Sequence, residues 1–238
     1  MAGQLIRVNK MIERLEVPAH LHRNAVSVQA AGPENTGQVL IDLVTEKVGL
    51  QSLENIDFLD VGCGVRFCMT IINRDIAIKS YTGIEIHQPI IDFLKQQVEP
   101  FDQRFSFSHW NVYNQMYNQQ GVDITSQTNL PVDGEFDVMC LISVFTHLIP
   151  QDSLALLKLM RQRIRPGGKL FFSTYIDDEL DQLDEPFDDR VPGKPLQHAY
   201  YGRQYMSSLI TQAGWQIEAF YDKELDKYIQ HYVVCTPV

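Results

Sequence analysis

Basic residues are in short supply in this 238-residue chain, and long apolar runs are missing altogether. Lys and Arg number 20 against 30 Asp and Glu, a formal net charge of −10, and the cations are scattered rather than clustered. Phosphate backbones are held by concentrated positive charge that releases counterions, so a nucleic acid is not the expected partner. No stretch approaches the roughly 18 apolar residues of a membrane span. The segment Met1-Ala2-Gly3-Gln4-Leu5-Ile6-Arg7 also lacks the basic start and apolar continuation of an export signal. No membrane is expected, and the expected location is cytoplasmic. Cysteine is scarce too: Cys63, Cys68, Cys140 and Cys235 form no Cys-x-x-Cys pair and lie in apolar contexts. Buried thiols in a reducing compartment follow, with neither disulfides nor a metal site expected. Nothing repeats internally and nothing is of low complexity.

What is present is an alternation of two periodicities. With 45% hydrophobic residues the chain can bury one large core, and an α/β domain of this size need not split. Gln4 to Leu15 carries Leu5, Ile6, Val8, Met11, Ile12 and Leu15 at helical spacing, and Asn35 to Val48 does so again before Gly49 stops it. These segments predict a helical cap over residues 1–52. From residue 53 to 238, strands are predicted at 57–61, 81–86, 105–109, 136–142, 169–175, 216–221 and 229–236, with helices near 66–77, 88–98, 152–165 and 203–213. Such alternation makes a doubly wound, mostly parallel seven-stranded sheet with helices on both faces. Only Asp222 to Lys227 separates the last two strands, too short for a helical crossover, so the last strand is expected to run antiparallel. An acidic insert at about 176–199 holds Asp177, Asp178, Glu179, Asp181, Asp184, Glu185, Asp188 and Asp189, with Arg190 the one base among them. It reads either as a solvated loop or as a lid over a binding site.

The chemistry concentrates at Phe58-Leu59-Asp60-Val61-Gly62-Cys63-Gly64, an apolar run ending in an acid and two glycines, and at Glu85, which ends the next apolar run. Glycine at the exit of a buried strand lets a ligand approach the backbone, and an acid about 20 residues on is placed to accept hydrogen bonds from ribose hydroxyls. A dinucleotide turn wants a small residue where this chain has Phe67. Asp60, two residues before the first glycine, suits a cationic ligand end and opposes a pyrophosphate. Both details favour S-adenosylmethionine over a dinucleotide.

In these residues the chain resembles the class I S-adenosylmethionine-dependent methyltransferases. The likeness continues through Asn111 after the third apolar run and through Asn129 to Val138 before the fourth strand. It extends to Ser143-Val144-Phe145-Thr146-His147-Leu148 at that strand's exit and Arg165-Pro166-Gly167-Gly168-Lys169-Leu170 before the fifth. The resemblance covers roughly residues 55 to 175 and implies a single methyltransferase domain with S-adenosylmethionine as cofactor. It implies cofactor contacts from Asp60, Gly62, Cys63, Gly64, Arg66, Glu85, Ile86, Asn111, Val112 and Ser143, with Asn111 as the polar residue that contacts adenine.

Arg66 departs from the family pattern, which carries a third glycine there. It reads as a partner for the methionyl carboxylate, as an anchor for the N-terminal segment, or as a side chain turned to water. A sulfonium is already an activated methyl donor, so a base is needed only for an acceptor that must lose a proton. His147, just past the fourth strand's carboxyl end, is the candidate base, against the reading of a structural histidine. Trp110 and Tyr113 flank Asn111 and are candidates to sandwich adenine. His198, Tyr200, Tyr201 and Tyr205 are candidate acceptor contacts, with Gln230 and His231 near the rim. The absence of an Asn-Pro-Pro-Tyr exit and of a Pro-Cys nucleophile argues against base methylation of nucleic acids. The expected function is methyl transfer to a small polar acceptor. A non-catalytic cofactor-binding protein and a protein methyltransferase stand as the alternatives.

Overall fold

A computed structural model describes residues 12–22, 30–114, 117–126, 129–181, 183–184, 198–223 and 230–238. Its strands are β1 (Leu53–Val61), β2 (Ile78–Glu85), β3 (Phe105–His109), β4 (Phe136–Leu141), β5 (Ile164–Ile176), β6 (Leu183–Asp184), β7 (Tyr200–Tyr201), β8 (Trp215–Tyr221) and β9 (His231–Pro237). The helices are α1 (Pro33–Val48), α2 (Arg66–Asn73), α3 (Gln88–Gln97), α4 (Pro150–Arg161) and α5 (Arg203–Gln212).

The main sheet runs β3-β2-β1-β4-β5-β9-β8, parallel from β3 to β5, with β9 antiparallel to both β5 and β8. This is the predicted seven-stranded, mostly parallel arrangement with its antiparallel last strand. Central strands such as β4, with five of six residues buried, are apolar throughout because helices cover both faces. Residues of α1, α2 and α3 bury their apolar sides against one face, and those of α4 and α5 against the other. Order reverses between β1 and β4, so the carboxyl ends of these strands open the crevice where such sheets take ligands.

Several sequence-predicted boundaries shift, four of them for a local reason that the structure shows. The helix expected over Gln4 to Leu15 lies mostly outside the described residues, and its described end, from Ile12 to Leu15, is not helical. There the Asn73 side chain engages Leu15 on both sides: Leu15 N–H donates to Asn73 Oδ1 at 2.7 Å, and Asn73 Nδ2 donates to the Leu15 carbonyl at 3.2 Å. Helix α2 stops at Asn73 rather than at 77, with Asp75 reversing the chain at φ 50°. Helix α4 stops at Arg161 because the Arg163 carbonyl already accepts from Phe136 N–H at 2.9 Å, and Ile164 pairs with Phe136. β5 therefore begins five residues earlier than expected, with the Arg165 to Gly168 turn bulged out between its first and second pairings with β4.

One short strand, β6, lies within the acidic insert and another, β7, follows it. β7 pairs with the end of β5 through Tyr175 and Tyr200, and β6 pairs with β7. Within this segment Asp178 is fixed by Arg203, whose guanidinium also reaches Asp222. Glu185, Asp188, Asp189 and Arg190 lie outside the described residues.

Helix α1 crosses α2 at very close range. A Cβ on Gly37 would lie 2.0 Å from Thr70 Oγ1 and 3.2 Å from Arg66 Cγ, so only glycine fits at this crossing.

Candidate functional site

The crevice holds a cavity of about 710 Å³, within the range of sites that enclose a small molecule or cofactor. Its floor is the turn after β1. Gly62 and Cys63 both donate to the Ile84 carbonyl, at 2.8 and 3.0 Å, which folds the turn back onto β2. Gly62 (φ 73°) and Gly64 (φ 50°) take left-handed conformations that cost other residues about 1 kcal/mol or more. A Cβ on Gly64 would meet nothing within 4 Å, so the backbone there is open to a ligand.

Glu85 ends β2 at 6% exposure. Its Oε2 accepts from Gly64 N–H at 3.0 Å, and its Oε1 accepts from the N–H groups of Ile86 and His87 at 2.9 and 3.0 Å. A carboxylate has about four lone-pair directions; three are occupied by backbone donors, leaving one on Oε2 at the cavity wall. The acid thus ties the glycine turn to β2 and leaves one acceptor position at the cavity. These residues fit an adenosyl cofactor.

Asp60 sits beneath the floor and does not line the cavity. It accepts from Tyr81 Oη at 2.7 Å. Burial pushes its pKa up to about 7, with the nearby Glu85 charge adding and the Tyr81 hydrogen bond and Arg66 opposing. Arg66, the first residue of α2, lines the cavity, and burial lowers its pKa against the pull of Asp60. Its guanidinium forms no ion pair among the described residues.

Ile86 and Val112 line the cavity, as do Trp110 and Tyr113. Asn111 does not: it is exposed, and its Oδ1 accepts from Asn118 Nδ2 at 2.9 Å while the same amide reaches the Val112 carbonyl at 3.0 Å. The amide that sequence reasoning set against the base instead closes its own loop.

Ser143, just past β4, has φ 58°, a strained conformation for a non-glycine residue. It is held by Ser173 Oγ, which accepts its N–H at 2.7 Å, and by paired hydrogen bonds with the Gln230 amide at 3.0 and 3.3 Å. The bend turns the chain into the short turn Phe145–His147 and brings His147 to the cavity, where its ring meets Tyr117 edge-on at 6.2 Å.

The segment after the acidic insert is stitched to that turn. Ala199 N–H donates to the Thr146 carbonyl at 2.8 Å, and Tyr201 Oη donates to the Leu148 carbonyl at 2.5 Å. Of the four candidate acceptor contacts, His198 lines the cavity and Tyr200, Tyr201 and Tyr205 do not. Tyr201 is buried in the wall, and Tyr200 stacks on Tyr175 at 5.0 Å. Gln230 lines the cavity, whereas His231 is buried behind it, its Nδ1 accepting from Ile176 N–H at 3.3 Å.

Sequence reasoning missed Tyr175, Asp152, Tyr117, Leu21 and Leu40, which also line the cavity. Tyr175 stands at the carboxyl end of a predicted strand, a signal that could have found it. Leu21 and Leu40 reach the site by tertiary packing of the cap and carry no local signal. Among the described residues no group of three His, Cys, Asp or Glu side chains is placed to hold a metal, and no helix is long and apolar enough to cross a membrane. The four cysteines are free and buried.

A family model described as a methyltransferase domain matches residues 34–219. The mitochondrial ubiquinone biosynthesis O-methyltransferase of Dictyostelium discoideum is 25% identical over 122 residues, which make up 51% of this chain and 36% of that protein. The chain therefore spans about a third of that relative's length. Among solved structures, the magnesium protoporphyrin IX methyltransferase ChlM of Synechocystis PCC 6803 with bound SAH superposes with a TM-score of 0.59 at 14% identity, over 92% of each chain. The glycopeptide N-methyltransferase MtfA complexed with S-adenosyl-L-homocysteine gives 0.58 at 11% identity, over 85% of this chain and 90% of that one. At these identities the likeness is one of fold.

Proposed function

The chain belongs to the methyltransferase-domain family, and on that premise we propose that it is an S-adenosylmethionine-dependent enzyme that methylates an oxygen or nitrogen of a small polar acceptor. The observation that carries this reading is the Glu85 carboxylate, locked to the glycine turn by three backbone N–H groups with one acceptor position left at the cavity.

In this reading Gly62, Cys63 and Gly64 present backbone to the methionyl portion. Asp60 lies beneath it, buried against Tyr81, and Arg66 faces the carboxylate end. Ile86 and Val112 flank the base, Asn111 fixes their loop through Asn118, and Ser143 sets the exit of β4. When bound, the sulfonium supplies an activated methyl carbon. The chain's own contribution is to align an acceptor with it and to exclude water, and such alignment is worth several kcal/mol. His147, carried on a turn braced by Ala199 and Tyr201, accepts the acceptor's proton as it is methylated. Tyr175, His198 and Gln230 form the acceptor side.

The names of the similar proteins support a non-nucleic-acid acceptor: they specify magnesium protoporphyrin IX, a glycopeptide and ubiquinone biosynthesis. Incubation with methyl-labelled cofactor, in parallel with a metabolite extract and a protein extract, tests the proposal. Label should enter low-molecular-mass products. Label confined to protein, or cofactor binding without any transfer, would replace this reading with a protein methyltransferase or a binding protein.

A further inference from the structure

With the Asn111 amide turned to Asn118, the polar edge of the base is left without the reader that sequence reasoning gave it. Accepting the cofactor reading above, we propose that Asp152 takes this role and receives the exocyclic amine of adenine.

Asp152 lies in the first turn of α4 and lines the cavity beside Leu148 and Leu156. Helix α4 packs on the short turn Ile124–Ser126, which in turn follows the bridge between Val112 and Val122. Ile86, one residue beyond Glu85, lines the cavity together with Val112, Ile124 and Leu156, and these apolar side chains form the slot assigned to the base. A flat base fits between apolar walls, and its amine then needs an acceptor at the slot's edge.

Two other polar groups of the lining are committed or enclosed. Asn114 Oδ1 accepts from Tyr117 N–H at 3.1 Å, and the Thr146 hydroxyl is sealed inside the wall. The Asp152 carboxylate, by contrast, has no hydrogen-bond donor and no cation among the described residues. It is half-buried, and both burial and the charge of Asp123 raise its pKa, the reverse of what a stabilising role at a helix start would do. A carboxylate in that position is short of a donor, and an amine with two N–H groups supplies one.

The test is calorimetric and needs no turnover. The wild-type protein is titrated with S-adenosylhomocysteine and with its analogue in which hydrogen replaces the 6-amino group. The native base should bind about 10- to 100-fold more tightly, the ratio expected for one hydrogen bond to a charged acceptor. In Asp152→Ala this preference should vanish, while Asp152→Asn, which keeps a neutral acceptor oxygen and serves as the second variant, should hold an intermediate ratio of about 2- to 12-fold. Undiminished preference in Asp152→Ala, its absence in the wild type, or its loss in a folded Asp152→Asn would each overturn the assignment. Failure of the wild type to bind either ligand would instead remove the cofactor reading on which it rests.

Discussion

Replacing Glu85 with Gln separates two jobs that one carboxylate performs. An amide has a single acceptor oxygen. If that oxygen keeps the Ile86 and His87 N–H groups, the amide nitrogen stands where Oε2 was, 3.0 Å from Gly64 N–H, donor facing donor. The loss is one charge-assisted hydrogen bond in a buried setting, about 1.5–3 kcal/mol. Since a domain of this length shifts by about 2–4 °C per kcal/mol, the melting temperature should fall by about 3–12 °C. The ligand-facing position on Oε2 disappears as well, so affinity for S-adenosylhomocysteine should drop by a further 1.5–3 kcal/mol or so, about tenfold to a hundredfold in Kd. Urea unfolding of the free protein and calorimetry of the folded mutant measure the two losses independently. Wild-type stability combined with weakened binding would refute the claim that the acid already holds the turn before ligand arrives. Wild-type affinity would refute its place at the ribose.

Two further outcomes are expected. Asp60 has a folded-state pKa of about 7, raised above its unfolded value, so the folded protein holds more protons than the unfolded chain between about pH 4 and 7. Stability should therefore decline as pH rises through that window, by at most about 4 kcal/mol, and Asp60→Asn should flatten the decline in urea titrations run across it. A mutant profile parallel to the wild type would place the proton elsewhere. His147→Ala should leave cofactor affinity nearly intact while slowing single-turnover methyl transfer by about 10²–10⁴; an unchanged rate in a folded mutant would leave alignment as the main catalytic term.

How much of this was legible in the sequence depended on how local its cause was. Gly62, Gly64 and Glu85 could be read because a strand exit and a strand end are written in a few neighbouring residues. The mostly parallel sheet followed from the alternation, and its antiparallel last strand from the short link before β9. Asn111 stands at the expected position in the chain, but the direction of its side chain depends on Asn118, seven residues on, and no periodicity reports that. The end of α4 was misjudged because the helical pattern runs on through residues that pair with Phe136 instead. The strands Tyr200–Tyr201 and Leu183–Asp184 are two residues each, too short for alternation to register. Asp152 looked like an ordinary acid at a helix start, and only its want of a donor in the folded chain sets it apart.

The crossing at Gly37 gives the cap a part in the cofactor turn. Thr70, against which Gly37 sits, donates its hydroxyl to the Arg66 carbonyl at 2.8 Å, and Arg66 opens the helix that follows the glycine turn. The contact leaves no slack: α1 cannot slide along α2 without displacing Arg66, a residue of the cavity lining that we propose serves the methionyl end of the cofactor. Cap and turn therefore behave as meshed gears rather than as a cover resting on a socket. Whatever holds α1 in register also sets the aim of Arg66, and a ligand that fixes Arg66 sends that constraint back through Thr70 into the N-terminal helix.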